Sequence, residues 1–273
     1  MHHKILNNKQ SNIYPIGVMD SGVGGVSVLR HIRAILPHES ITYVADSLYA
    51  PYGNKKAELI IERCIKVADF LLGQQVKALV VACNTATAAA IKEMRTRYTV
   101  PIIGMEPAVK PAVQASKNGV IGVLATVGTL KSAQYAALLE NYGSGVQVIA
   151  QGCEGLVECV ESGALSDDAT RSLLQKYLKP LLAGGADAIV LGCTHYPFLR
   201  PLITEIVGPE IAIIDTGKAV SEQLKKKLIE ANLLADASER AGVVFWTNSQ
   251  SSNAASVIQK LWGEGDVQIK RMV

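Results

Sequence analysis

Two stretches of this chain, 110 residues apart, carry the same pattern. Ala78-Leu79-Val80-Val81-Ala82-Cys83-Asn84-Thr85 and Ala188-Ile189-Val190-Leu191-Gly192-Cys193-Thr194-His195 each run four apolar residues, one small residue and a cysteine, then turn polar. Short β-branched runs of this length read as buried strands. The polar residues that follow are helix openers. Common strand composition explains the Val and Ile in both copies, but it does not explain a cysteine at the same strand end twice.

The repeat extends beyond these two segments. The first half contains apolar runs at Ile16–Asp20, Ile41–Asp46, Ala78–Cys83 and Ile102–Glu106. The second half contains Val120–Ala125, Val146–Ala150, Ala188–Cys193 and Ile211–Asp215. Gly17 and Gly122 are 105 residues apart, close to the spacing of the two cysteines. Longer stretches with helical spacing separate the runs, as in Leu59-Ile60-Arg63-Val67-Phe70-Leu71. Alternating strand and helix implies parallel βαβ units with right-handed crossovers. The expected fold is therefore α/β, with two pseudosymmetric lobes, each a mostly parallel sheet flanked by helices. The lobe boundaries are expected at 13–105 with 219–273 for the first and 106–218 for the second. The stretch from Gly217 to Val273 reads as a helix, a short strand at Val243–Trp246 and another helix, and its own pattern assigns it to neither lobe.

Composition narrows the functional classes. The chain has 273 residues, 49% of them hydrophobic and only 5% aromatic, which suits buried parallel sheets. A net charge of +3, from 27 basic and 24 acidic residues, is too small and too evenly spread for a nucleic-acid surface. The basic run Lys225-Lys226-Lys227 reads as a solvated helix face. No stretch approaches the roughly 18 apolar residues of a membrane span. The polar start, Met1 to Asn12, has no apolar core of a secretory leader, so none is expected. His2-His3 is too short for a metal site or a purification tag. Five cysteines, an odd number, suit a reducing cytoplasm with free thiols.

Cys83 and Cys193 are the candidate reactive groups. Ligands of open parallel sheets bind beyond the carboxyl ends of the strands, where both residues lie. A helix N-terminus after each cysteine would lower its thiol pKa from about 8.5 and offer backbone N–H groups to a carboxylate. Facing lobes would then present a thiolate and a thiol to opposite sides of one carbon, and proton removal on one side with delivery on the other inverts it. Cys64 and Cys159, in helix-like stretches, read as inert small hydrophobes. Cys153 follows a strand but has no counterpart in the first half. No metal is expected, because there is no Cys-x-x-Cys pair and His195 lacks ligand spacing.

The chain also carries Asp20-Ser21-Gly22-Val23-Gly24-Gly25, Pro51-Tyr52-Gly53, Ala82-Cys83-Asn84-Thr85-Ala86, Ala125-Thr126-Val127-Gly128-Thr129 and Gly192-Cys193-Thr194-His195-Tyr196-Pro197. Together these motifs resemble those of the aspartate/glutamate racemase superfamily. They occur in the family's order from about Ile16 to Asp215. The resemblance implies a site in the cleft between the lobes, no cofactor and independence from pyridoxal phosphate. It implies glutamate as substrate, D-glutamate supplied for peptidoglycan, a C-terminal segment packed on the first lobe, and a homodimer. It makes Cys83 and Cys193 the acid/base thiols, with Asp20 and His195 assisting them. Ser21, Tyr52, Gly53, Asn84, Thr85, Thr126 and Thr194 resemble the substrate-holding residues.

These residues also have readings of their own. Asp20 could pair with a substrate ammonium or cap the next helix. The glycine loop lacks both the P-loop and the dinucleotide-binding spacing and reads as a tight strand-to-helix turn. Tyr52 could offer its hydroxyl or its backbone to a carboxylate. Asn84, Thr85 and Thr194 could cap a helix and bind a carboxylate together, whereas Thr126 and Thr129 could simply cap. Many family members have Cys-Pro where this chain has Cys153-Glu154. The glutamate that matches a family position further on is Glu161, for which a catalytic and a helix-surface role both stand open. The rival functions are an aspartate racemase, a non-catalytic dicarboxylate-binding protein, and a cysteine hydrolase built on Cys193 and His195, which would leave Cys83 unexplained.

Overall fold

The computed structural model describes residues 11–236, 241–249, 252–265 and 267–272, so His2-His3 lies outside the described residues. The strands are β1 (Ile16–Asp20), β2 (Ile41–Ala45), β3 (Ala78–Val81), β4 (Ile102–Ile103), β5 (Val120–Ala125), β6 (Gln147–Gly152), β7 (Ala188–Leu191), β8 (Ala212–Ile214), β9 (Val243–Thr247) and β10 (Gln268–Arg271). The helices are α1 (Val26–Ile35), α2 (Ala57–Gly73), α3 (Asn84–Arg97), α4 (Val109–Ala115), α5 (Val127–Leu130), α6 (Ala133–Tyr142), α7 (Leu156–Glu161), α8 (Asp168–Ala183), α9 (Arg200–Val207), α10 (Gly217–Glu230) and α11 (Ser252–Trp262).

Among the described residues all strand pairs are parallel, and they form two sheets. The first has the order β10-β9-β2-β1-β3-β4 and the second β6-β5-β7-β8. The four strands β2-β1-β3-β4 thus repeat as β6-β5-β7-β8, which is the duplication expected from the sequence. In each lobe the chain leaves the central strand to one side and later crosses to the other. Ligand sites of such sheets lie at that reversal, beyond the strand carboxyl ends.

The C-terminal segment joins the first sheet. β9 pairs with β2 along its length, with Ile41 opposite Val243, and β10 pairs with β9. Phe245 on β9 is fully buried and packs on Tyr43 and Trp262, with ring centroids 5.6 and 5.7 Å away. Strand β10 was not expected. Its sequence, Gln268-Ile269-Lys270-Arg271, is mostly exposed, and only its partner β9 makes it a strand.

Alternation places the core. On β3, Leu79 and Val81 pack toward α2 and α3, whereas Ala78 and Val80 face the opposite side of the sheet. Helix α2 buries Ile60, Cys64, Val67, Ala68 and Leu71, a three-to-four-residue stripe against the sheet. That position accounts for Cys64 as packing. One apolar cluster includes Val18 and Val80 of the first sheet with Leu124, Ile189 and Leu191 of the second, so a continuous core joins the lobes. Lys226 and Lys227 on α10 are exposed and pair with Glu230, the solvated face expected of the lysine run. Among the described residues no helix is long and apolar enough to cross a membrane.

Candidate active site

Cys83 and Cys193 line one narrow crevice between the lobes, together with Ser21, Tyr52, Gly53, Asn84, Thr85, Thr126, Thr194, His195, Pro51, Val157 and Gly192. The two thiols are nearly enclosed, with 6% and 7% of their surfaces exposed. No lysine or arginine is among these lining residues. Cys83 comes from the first lobe and Cys193 from the second. The last paired strand residues are Val81 and Leu191, so each cysteine sits two positions beyond its strand. Ladder hydrogen bonds continue one step further in both lobes, from the Ala82 N–H to the Met19 carbonyl and from the Gly192 N–H to the Leu124 carbonyl. The duplication therefore fixes the placement of both sulfurs.

The surroundings of the two sulfurs differ. Cys83 is itself the N-cap of α3, its Sγ accepting from the Ala86 N–H at 3.4 Å. Asn84 and Thr85 are the first residues inside that helix rather than its cap. The thiol donates to Ser21 Oγ at 3.8 Å, and the Ser21 hydroxyl donates to Asp20 Oδ1 at 3.5 Å. Asp20 Oδ2 accepts the Gly25 N–H at 2.7 Å. No α-helix opens directly after Cys193. A short 3-10 turn begins at Tyr196, and α9 begins only at Arg200. Cys193 instead meets His195 Nδ1 at 3.7 Å, and His195 Nε2 meets Glu161 Oε1 at 2.7 Å. Thr194 caps nothing; its carbonyl accepts from the Ser27 hydroxyl at 2.8 Å.

Electrostatics reverse one expectation. Burial pushes the Cys83 thiol well above its ordinary value, and the neighbouring Asp20 carboxylate and Cys193 add to the rise. The Ala86 N–H and Ser21 hydroxyl pull the other way, but desolvation of a nearly enclosed sulfur outweighs a helix terminus. Burial likewise raises Asp20 to about 6, against the lowering pull of His195 and the Gly25 N–H. Burial opposes the charged form of His195, yet its bonds to Cys193 and Glu161 prevail and hold its pKa well above the usual range. Cys153, 3% exposed beside the crevice, is pushed up to about 12 by burial and donates to the Gln151 carbonyl.

Glu161 ends α7 and reaches across to the first lobe, where its Oε1 also accepts the Val23 N–H at 2.8 Å. It is thus packed against His195 and the first lobe rather than lying free on a helix surface. The glycine loop explains why it fits. A Cβ on Gly22 would lie 1.8 Å from Glu161 Oε1, and one on Gly24 2.2 Å from His195 Nδ1. Neither glycine has a positive φ, so close approach of the second lobe, rather than a tight turn, demands them. The Tyr43 hydroxyl donates to the Gly22 carbonyl at 2.7 Å and holds the loop, a role no motif announced.

On the opposite wall, Tyr52 turns its hydroxyl away, donating to Asp46 Oδ2 at 2.5 Å. Only its backbone, with that of Gly53, can serve the crevice; both start a 3-10 turn after the cis Ala50–Pro51 bond. Thr85 of the first lobe meets Thr126 and Thr129 of the second at 2.8 and 3.1 Å. Thr126 also caps α5 by accepting the Thr129 N–H. Thr129 is therefore both a capping partner and a cross-lobe contact. Among the described residues, the buried Asn84 side chain has no hydrogen-bond partner on either amide atom. Val157 was missed by sequence reasoning, since nothing local in α7 says that it meets a crevice built on distant strand ends.

The fold and crevice define a two-lobed α/β protein whose lobes each contribute one buried cysteine to a shared cleft. The family model described as Asp/Glu/Hydantoin racemase matches residues 16–224, and the chain belongs to that family. A glutamate racemase of Ectopseudomonas mendocina is 56% identical over 251 residues, covering 92% of this chain and 95% of the relative. Among solved structures, glutamate racemase isoform RacE1 from Bacillus anthracis superposes with a TM-score of 0.86 at 32% identity, covering 95% of this chain and 97% of that one. The glutamate racemase of Francisella tularensis, determined in complex with D-glutamate, gives 0.82 at 29% identity, covering 96% and 98%.

Proposed function

We propose that this protein interconverts L- and D-glutamate without a cofactor, using Cys83 and Cys193 as the paired acid and base. The reading is carried by one observation: sulfurs from separate lobes line the same crevice, each with its own proton-handling partners. The names and full-length coverage of the relatives support glutamate as the substrate. In the cytoplasm, where five free thiols stay reduced, the D-glutamate would feed peptidoglycan synthesis.

In the forward direction one sulfur, as thiolate, takes the α-proton, and the other, as thiol, protonates the opposite face. The reverse reaction exchanges their roles. Protonated His195, backed by Glu161, stabilises a thiolate at Cys193, while the Ser21–Asp20 pair receives or returns a proton at Cys83. Positioned bases supply about 10² to 10⁴ in rate. The rest of the barrier is lowered by fixed hydrogen-bond donors around the carbanion in a water-poor crevice. Asn84, Thr85, Thr126, Thr194 and the Tyr52–Gly53 backbone are the donors that would hold the two carboxylates.

The test is to incubate each glutamate enantiomer in D₂O with wild type, Cys83→Ser and Cys193→Ser. Deuterium is expected at the α-carbon of the inverted product, with racemisation lost in each variant. Near-wild-type racemisation in both variants would sink the two-thiol mechanism, and aspartate turned over in preference to glutamate would overturn the substrate.

A further inference from the structure

We propose that Asn248, in the C-terminal segment, is a positioning residue for the substrate-facing loop of the first lobe. This rests on the racemase reading and extends it to a residue outside the crevice. Asp46 lies just past β2, fully buried, with a single carboxylate that gathers four donors. Arg63 supplies Nε at 3.0 Å and Nη2 at 2.6 Å, Tyr52 its hydroxyl at 2.5 Å, and Asn248 Nδ2 its amide at 2.5 Å. The other end of the same Asn248 amide accepts the Leu48 N–H at 2.9 Å. Asn248 therefore ties together the first and middle parts of the loop between Asp46 and Asn54, and Tyr52 ties its far end to the same carboxylate.

That loop carries Gly53 to the edge of the second lobe. A Cβ on Gly53 would stand 2.7 Å from Thr126 Cβ, and one on Gly128 2.7 Å from the Gly53 carbonyl. Gly53 is thus held against the opposite wall of the crevice, and its height is set by how firmly Asp46 anchors the loop. Leu48 is largely exposed, so apolar burial does little to hold the loop there. An asparagine suits the post because one amide both donates to a carboxylate and accepts from a backbone N–H. Strand β9, paired with β2, delivers it: Thr247 is the last residue of the strand and Asn248 the next.

The experiment compares wild type, Asn248→Ala and Asn248→Asp in steady-state racemisation of both glutamate enantiomers, together with amide hydrogen exchange over residues 48–53. Asn248→Ala is expected to raise KM about tenfold in both directions, the typical effect of losing a well-placed hydrogen bond, with kcat within about twofold. Exchange at Leu48–Gly53 is expected to quicken, with the protein still folded and its melting temperature lowered by only a few degrees. Asn248→Asp keeps the shape of the side chain but sets a second carboxylate against Asp46, so its KM is expected to rise at least as far. An unchanged KM in Asn248→Asp, or a fall in kcat at constant KM, overturns the proposal. If wild type does not racemise glutamate, the racemase reading fails, and unaltered loop exchange in both variants would separately refute the bracing.

Discussion

Asp20, which the proposed mechanism uses as a proton relay, carries a burial cost. Its carboxyl is buried beside Glu161 and lifted from 3.8 to about 6. The folded state thus favours the protonated acid, a contribution fully present below about pH 4 and lost as pH rises through 6. At pH 7.5 the ionised, desolvated group costs about 2–3 kcal/mol. Asp20→Asn removes the charge and leaves an acceptor for the Gly25 N–H. It is expected to be more stable than wild type by about that amount in urea unfolding at pH 7.5. The advantage should shrink steadily below pH 6 and vanish near pH 4. Its racemisation should fall, because the Ser21 hydroxyl loses its carboxylate. Equal stabilities of the two proteins at pH 7.5 would contradict the assigned burial cost.

At the scale of elements, the β1–α1 loop is a seat for the other lobe. Ala at position 24 would drive a methyl group into the His195 ring, which is 1% exposed and bonded at both nitrogens. Gly24→Ala is expected to cost about 2–4 kcal/mol and to abolish turnover. Gly73, the last residue of α2, has open space where a methyl group would stand, with no neighbouring atom within 4 Å, and Gly73→Ala should stabilise by about 0.5–1 kcal/mol. Chemical denaturation of the two variants side by side checks the contrast. The elements themselves were largely legible in the sequence. β1 and β5 have the bounds their β-branched runs suggested, whereas β4 is shorter, only Ile102–Ile103, because it meets a single neighbour at the sheet edge. β10 was invisible, since its sequence carries no apolar alternation strong enough to announce a strand.

At the scale of the whole molecule, the two lobes meet around a crevice with little spare room. The lips touch at Gly53 and Thr126, and the hydroxyls of Thr85, Thr126 and Thr129 satisfy one another across it. Glutamate bound where we propose would part those contacts on entry and could replace them once inside. Amide exchange at residues 52–54 and 126–130 is expected to slow at saturating glutamate, with the β1 and β5 strand centres unaffected. Indifference of both lips to the substrate would rule out closure over it.

The sequence by itself determined the duplication, the parallel lobes and the position of each cysteine at the carboxyl end of a strand. Runs of four to six apolar residues and helical stripes encode those features locally, through side-chain alternation and burial. Only the tertiary structure decided that burial pushes the Cys83 thiol upward, why Gly22 and Gly24 are glycines, where the Glu161 and Asn248 side chains lie, and which edge receives the C-terminal strands. Those outcomes depend on desolvation and on contacts between residues more than a hundred positions apart, quantities that no local window of sequence contains.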